Sequence, residues 1–158
     1  MKIKKFVCFS FLLCMIIPFF LLLTYRKCNQ YLKPIQPDDI RYVTAEEYYY
    51  GCDDPRIVDN ILIITGWMAN RAMQKSSYVN HTVLLIDEEG EYFEIKTSFY
   101  ERGLTSYFND GNDYTYGGVI GKCPINYLKS GETYGIAFID EERDGTTNLV
   151  ILDKKITV

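Results

Sequence analysis

The chain holds a single histidine, His81, and that removes several chemistries at once. A metal site built on several imidazoles needs more than one, and a nucleophile–imidazole–carboxylate triad would have to use this one. His81 falls in a stretch that reads as a β-strand, where an imidazole is an ordinary strand-face side chain. The sequence contains no G-x-S-x-G elbow, no P-loop and no G-x-G-x-x-G turn. It therefore offers no recognised cradle for a cofactor or nucleotide. Carboxylates are abundant, and a pair of them can hydrolyse a glycosidic bond. They cluster, however, at two predicted hairpin tips: Asp87, Glu88, Glu89 and Glu91 at one, Asp140, Glu141, Glu142 and Asp144 at the other. Solvated turn charges explain both groups. The run Asn109-Asp110-Gly111-Asn112-Asp113 offers oxygen ligands at short spacing, but not at EF-hand spacing, and an Asx-type turn accounts for it. No metal is implied. Asn80-His81-Thr82 matches the glycosylation sequon but lies mid-strand.

Five cysteines divide by position. Cys8 and Cys14 lie in an apolar segment, and Cys28 lies just after it, where a free thiol could link two chains. Cys52 and Cys123 are the pair in the polar part, and outside the cytoplasm they are the candidate disulfide. Such a bridge would close a loop of about 70 residues and contribute roughly 4 kcal/mol in the chain-entropy account.

The aromatics carry the remaining signal. Tyr48, Tyr49, Tyr50, Trp67, Tyr100, Tyr107, Phe108, Tyr114 and Tyr116 gather in and around predicted loops. A tyrosine offers an apolar face with a polar tip, which suits stacking on a sugar ring or contact with a protein partner. Trp67 and Phe108 read as core. Tyr100, Tyr107, Tyr114 and Tyr116 are the candidate ligand contacts, with Arg102 as a structural or ligand-facing base.

The elements that must position these residues are β throughout. Ile61 to Met68 is a short run rich in β-branched residues, and Tyr78 to Asp87 is a second strand. Glu88-Glu89-Gly90 is a turn with glycine where a positive φ is wanted. From Glu91 to Phe99 the residues alternate, with Phe93, Ile95, Thr97 and Phe99 on one face. Tyr116 to Pro124 carries Gly117, Gly118 and Gly121, which predicts a bulged or twisted strand. Thr133 to Asp140, Asn148 to Asp153 and Ile156 to Val158 complete the set, separated by turns at Lys129-Ser130-Gly131-Glu132 and Asp144-Gly145. Six or seven short strands at this spacing predict an all-β sandwich over residues 60–158. Residues 29–59, with Pro34, Pro37 and Pro55, read as a stalk or lead-in. Within them Thr44-Ala45-Glu46-Glu47 fits a capping box that opens a short helix through Tyr48 to Tyr50; the same tyrosines could instead begin an edge strand.

The first 28 residues differ in kind. Phe6 to Leu23 is an uncharged apolar run of 18 residues, flanked by Lys2, Lys4 and Lys5 before it and Arg26 and Lys27 after it. As a helix it spans roughly 27 Å, close to the hydrocarbon thickness of a bilayer. No small-x-small cleavage site follows, so it reads as an uncleaved transmembrane anchor, with a short basic tail in the cytoplasm. Residues 29–158 then lie outside the cytoplasm on a single-pass membrane protein. With 17 bases and 21 acids in the chain, and five bases but no acid before residue 29, the remainder carries 12 bases and 21 acids, a net of −9. So acidic a domain lacks the basic footprint of a nucleic-acid binder, and its net charge also disfavours close binding to an anionic lipid surface beyond what Arg26 and Lys27 provide.

The stretch from Gly66 to Asp140 resembles a small immunoglobulin-like β-sandwich module of bacterial envelope and surface-polysaccharide proteins. The matching residues are Gly66-Trp67, Arg102 followed by Tyr107-Phe108, Gly117-Gly118, and the corner Leu128-x-x-Gly131-x-x-Tyr134. The chain departs from that pattern where an acid should follow the arginine: Arg102 precedes Gly103-Leu104-Thr105, so no salt bridge is carried over to it. The resemblance covers about half the chain and implies a fold more than a function. It adds to the expectation of a membrane-anchored, non-catalytic binding module of the cell envelope that contacts glycan or an envelope protein. The alternatives are a carboxylate-dependent glycan hydrolase, and a structural subunit assembling through Cys28 or the membrane helix.

Overall fold

A computed structural model of the chain describes residues 16–24, 31–36, 40–72, 80–142 and 145–158. The chain divides into two units, Met1–Gln30 and Tyr31–Val158. In the first, residues 16–24 form helix α1, with every side chain exposed. Among the described residues no helix is long and apolar enough to cross a membrane. The anchor predicted over Phe6 to Leu23 lies partly outside the described residues, as does Cys28.

The second unit is all-β, as the alternation predicts. Its strands are β1 (Leu32–Ile35), β2 (Ile40–Tyr42), β3 (Tyr48–Cys52), β4 (Arg56–Val58), β5 (Ile61–Asn70), β6 (Asn80–Ile86), β7 (Tyr92–Phe99), β8 (Gly118–Pro124), β9 (Thr133–Glu141) and β10 (Thr147–Thr157). A short helix, α2 (Leu104–Phe108), interrupts them. The unit thus begins at Tyr31, and the segment read as a lead-in supplies four strands. β1 pairs with β7, β2 with β10, and β3 and β4 with β5. At Thr44 the Glu47 carboxylate accepts the Thr44 amide at 3.3 Å, which is half of a capping box. The chain nevertheless makes one turn and enters β3, because three successive tyrosines favour a pleated surface and Tyr48 is needed in the core.

The hydrogen-bonded order is β2-β10-β9-β6-β7-β8-β5-β3, one sheet curled on itself. The layers share β7. Tyr92 to Glu94 pair with β6, while Lys96 to Phe99 pair with β8. The change of partner is possible because β8 passes close beneath β6 and β7 at Gly121, where a Cβ would meet Ile95 at 2.7 Å and Val83 at 2.8 Å. The glycines of β8 therefore serve close approach. The register of β8 against β5 is unbroken from Ile61↔Pro124 to Trp67↔Gly118, and the irregularity in the sheet falls in β10, between Leu152 and Lys155.

The core lies inside the curl. Leu62, Ile64 and Met68 of β5 face Val83 and Leu85 of β6, Ile136 and Phe138 of β9, and Val150 of β10, all essentially without solvent exposure. Each such side chain contributes about 1.5–3 kcal/mol by leaving water. Turns between strands use the left-handed backbone that glycine provides: Gly90 at φ 83° joins β6 to β7, Gly131 at φ 80° precedes β9, and Gly145 at φ 88° lies between β9 and β10. Another left-handed turn, missed in the sequence, is Asp59-Asn60, with φ 50° and 62°, which closes the β4–β5 hairpin.

Candidate functional site

Along β5 the even-numbered residues point inward, so Thr65, Trp67 and Ala69 point to the outer face. Register places Gly51 and Tyr49 beside Trp67 and Ala69 on one side, and Gly118 beside Trp67 on the other. Both glycines are obligatory for space: a Cβ on Gly51 would overlap the Trp67 indole, and one on Gly118 would overlap the Tyr100 carbonyl oxygen. The segment from Tyr100 to Gly117 is thereby laid directly on this face. Leu104 and Tyr114 pack on Ala69, with Tyr49, Trp67 and Phe108 around them, as a small outer core.

Two stacks fix the surface of this segment. In the first, the Arg102 guanidinium lies 4.7 Å from the Trp67 ring centre and 6.0 Å from that of Tyr100. Its fork reaches both oxygens of Asp53, at 2.5 and 3.0 Å, and Asp53 also accepts the Thr65 hydroxyl at 2.7 Å. Arg102 does have an acid partner, then, but from β3's end rather than from its own loop. Their mutual hydrogen bond holds Asp53 below the usual carboxylate range and raises Arg102. In the second stack, Tyr49 and Phe108 lie face to face at 4.0 Å and 14°, with the Arg71 guanidinium 4.0 Å from the Tyr49 centre. Tyr114 meets both rings edge-on, and Tyr107 meets Phe108 edge-on at 5.1 Å.

The candidate contacts are thus distributed unequally. Tyr107 is 78 % exposed, and Tyr100 and Tyr116 are also exposed, together with Phe99, which sequence reasoning assigned to the strand. Tyr114 is only 2 % exposed. Its hydroxyl donates to Asp110 at 2.8 Å and accepts from Asn112 at 3.0 Å, so it holds the loop from within rather than offering a contact. Arg102 is half-buried and structural. Phe99 and Tyr116, with ring centres 5.6 Å apart, flank a cleft of about 90 Å³ that Asn80, His81, Thr97, Ser98 and Gly118 also line. The two loop carboxylates hold the segment together. Asp110 accepts the Asn112 amide at 3.0 Å, and Asp113 accepts the Thr115 amide and hydroxyl and the Thr105 hydroxyl. Those Thr115 bonds lower Asp113. Among the described residues no group of three His, Cys, Asp or Glu side chains is placed to hold a metal.

A second constellation sits inside the curl, and its signal was the inward parity of five polar residues. His81, Asp140 and Asn148 are register partners in a row across β6, β9 and β10. Tyr48 and Asn70, partners on β3 and β5, complete the set. Tyr48 Oη donates to Glu142 Oε1 at 2.8 Å, and Asn148 Nδ2 donates to Tyr48 Oη at 2.9 Å and to Glu142 at 3.0 Å. Asn70 Nδ2 adds a bond to Glu142 at 3.2 Å. His81 Nε2 lies 3.4 Å from Asp140 Oδ1, with side chains 6 % and 1 % exposed. Burial disfavours an ion pair here. Burial pushes His81 down to about 4, against the pull of the Met68 and Tyr116 carbonyls. Burial first, and then the charge of Glu142, push Asp140 up to about 7. Burial thus favours the neutral form of each in slightly acidic solution. His81 Nε2, Asp140 Oδ1 and Asn148 Oδ1 make no hydrogen bond.

The proposed disulfide is corrected. Cys52 and Cys123 are both free. Cys52 pairs with Gly66 on one side of β5 and Cys123 with Leu62 on the other. Four positions along β5 and two strand spacings separate them, about 13 Å by 10 Å, against the roughly 7 Å that a bridge tolerates between Cα atoms. Burial raises both thiols to about 11. At the first acidic hairpin Asp87 is buried and accepts the amides of Glu89 and Glu91 at 3.0 and 2.8 Å, so it shapes the turn.

No family model, curated protein or solved structure matches the chain.

Proposed function

We propose that the protein is a single-pass, membrane-anchored binding module of the cell envelope, with residues 29–158 outside the cytoplasm and no catalytic role. Its immunoglobulin-like sandwich contacts a glycan or an envelope protein through Phe99, Tyr100, Tyr107 and Tyr116. One observation carries the reading: Tyr107 is 78 % exposed yet stands on a rigid base of stacked rings, Phe108 on Tyr49 on Arg71. An exposed ring whose support is already ordered loses little conformational freedom when a ligand covers it, and such rings are where binding energy concentrates. The ligand is uncharged or cationic in preference to anionic, given the net of −9 in residues 29–158.

The immunoglobulin-like description finds support in the corner before β9. There Tyr134 Oη accepts the Lys129 amide at 3.1 Å and donates to Glu132 at 2.5 Å, over the buried Leu128. Carbohydrate and protein ligands are separated by a glycan array and an immobilised-partner assay on the same preparation. Loss of binding in Tyr107→Ala, with the melting temperature retained, supports the reading; unchanged binding overturns it.

A hydrolase remains the second reading, because Asp140 is poised near neutrality close to Glu142. A general acid must reach its substrate, whereas the Asp140 side chain is 1 % exposed. Hydrolysis of an envelope glycan that is abolished in Asp140→Asn would establish it.

A further inference from the structure

The outer face that carries the aromatic segment at one end of β5 has a different character at the other. Val58 and Ile61 are partners across the Asp59-Asn60 turn, and Ile61 is flanked by Pro124 on its other side. Val58 and Ile61 are exposed, as is Ile57. Two residues further in, register aligns Arg56, Ile63, Lys122 and Lys96 across β4, β5, β8 and β7. Paired residues of antiparallel strands project to the same side, so this is a row of three exposed cations, spaced by about 5 Å per strand. Asp59 in the turn is the one acid of the hairpin itself. In a domain of net −9 such a row is a local reversal. Beneath the hairpin runs a groove of about 740 Å³ lined by Ile61, Pro124, Ile125, Leu128 and Val158, among others. Tyr127 stands exposed at its side, with the Tyr31 ring 5.5 Å from it, and the Lys96 ammonium lies over Tyr31 at 5.6 Å.

We propose that this end of the domain, the β4–β5 hairpin with the Arg56–Lys122–Lys96 row behind it, rests on an anionic lipid bilayer. The inference depends on the reading of Phe6 to Leu23 as a membrane anchor. Residues 24–30 join that run to Tyr31, and seven residues reach at most about 25 Å. On that reading Tyr31 cannot lie further than this from the end of the run, and Tyr127 and Lys96 lie against Tyr31. An apolar ridge backed by cations and flanked by tyrosines is the composition of a surface seated at the headgroup level. Trp67 lies six positions further along β5, about 20 Å from Ile61, so the aromatic segment projects away from the lipid, free for its ligand.

Depth-dependent quenching tests this on the full chain. One variant, Val58→Trp with Trp67→Phe, carries its only indole on the hairpin; the unaltered chain carries its only indole at Trp67. Both are reconstituted into phosphatidylcholine–phosphatidylserine vesicles containing lipid spin-labelled near the headgroup, and flotation confirms insertion. The expected result is quenching of the position 58 indole by at least half and little quenching of Trp67. Replacing Arg56, Lys96 and Lys122 with Gln should reduce the position 58 signal, most of all in vesicles containing phosphatidylserine. A chain that floats but shows no quenching at position 58, or equal quenching at both positions, overturns this inference alone. A chain that does not float overturns the anchor reading, and the membrane surface with it.

Discussion

Separating His81 from Asp140 should reveal two opposing pH dependences that cancel in the intact protein. In the unfolded chain Asp140 and His81 titrate near 3.8 and 6.5; in the folded protein burial moves them to about 7 and about 4. Between pH 4 and 6.5 both states of the chain therefore hold one proton on this pair, on His81 when unfolded and on Asp140 when folded. Stability depends on pH only through a difference in bound protons, so the pair contributes almost no slope there. Neither shift is caused by the other residue, so each should survive removal of its neighbour. In His81→Gln only Asp140 remains. Its folded value is raised, so its favourable contribution is complete below pH 4 and is lost as pH rises to 7, by about 4 kcal/mol at 1.36 kcal/mol per unit. In Asp140→Asn only His81 remains. Its folded value is depressed, so stability rises from pH 4 to 6.5, by about 3 kcal/mol. Urea titrations at pH 4, 5, 6 and 7, read as the difference of each variant from the parent, cancel the contributions of Asp53, Asp113 and every other shared carboxylate. Parallel pH profiles for parent and variants, or slopes of the same sign in both variants, would refute the assignment of neutral side chains at this site.

Other perturbations reach the outer face and the turns. Gly118→Ala forces a Cβ onto the Tyr100 carbonyl oxygen; it should cost about 3 kcal/mol and lift the segment after Tyr100, seen as a shift in Trp67 emission. Arg102→Lys loses the fork to Asp53 and the flat stack on Trp67. Because Asp53 is half exposed, the cost should be only about 1 kcal/mol, with a change in Trp67 fluorescence larger than that cost suggests. Tyr134→Phe should lower stability by about 1–2 kcal/mol in denaturant titration, since the Lys129 amide and Glu132 lose their partner. Cys52 and Cys123 should be maleimide-resistant when folded and reactive in urea, with no mobility difference between reducing and non-reducing gels from this pair.

Much of the domain could be read residue by residue. The alternation from Phe93 to Phe99, the glycine turns at Gly90 and Gly131, and the Leu128–Tyr134 corner each encode their geometry locally, so the strands after Asn60 were legible. The strands before it were not. β1, β2 and β4 are four residues or fewer, and they are strands only because β7, β10 and β5 offer them edges. The glycines of β8 predicted a bulge because composition cannot distinguish a bend from a close approach; Gly121 beneath Val83 and Gly118 beneath Tyr100 are the latter. The exposed tyrosines were legible as a group. That Tyr114 faces inward while Tyr107 faces out follows from the fold of the loop on Trp67 and Ala69, a contact between distant segments. Asp53 as the partner of Arg102 was hidden for the same reason, being 49 residues away in sequence.

The central claim, that exposed aromatics on the loop after β7 form a binding surface, has one decisive test. The full chain and its Tyr107→Ala/Tyr116→Ala variant, matched in melting temperature, are compared on one panel of immobilised glycans and envelope proteins. The account predicts that the parent binds a restricted set and that the variant loses that binding at least tenfold. Equal binding by parent and variant, or no binding by the parent to any member of the panel, would contradict it.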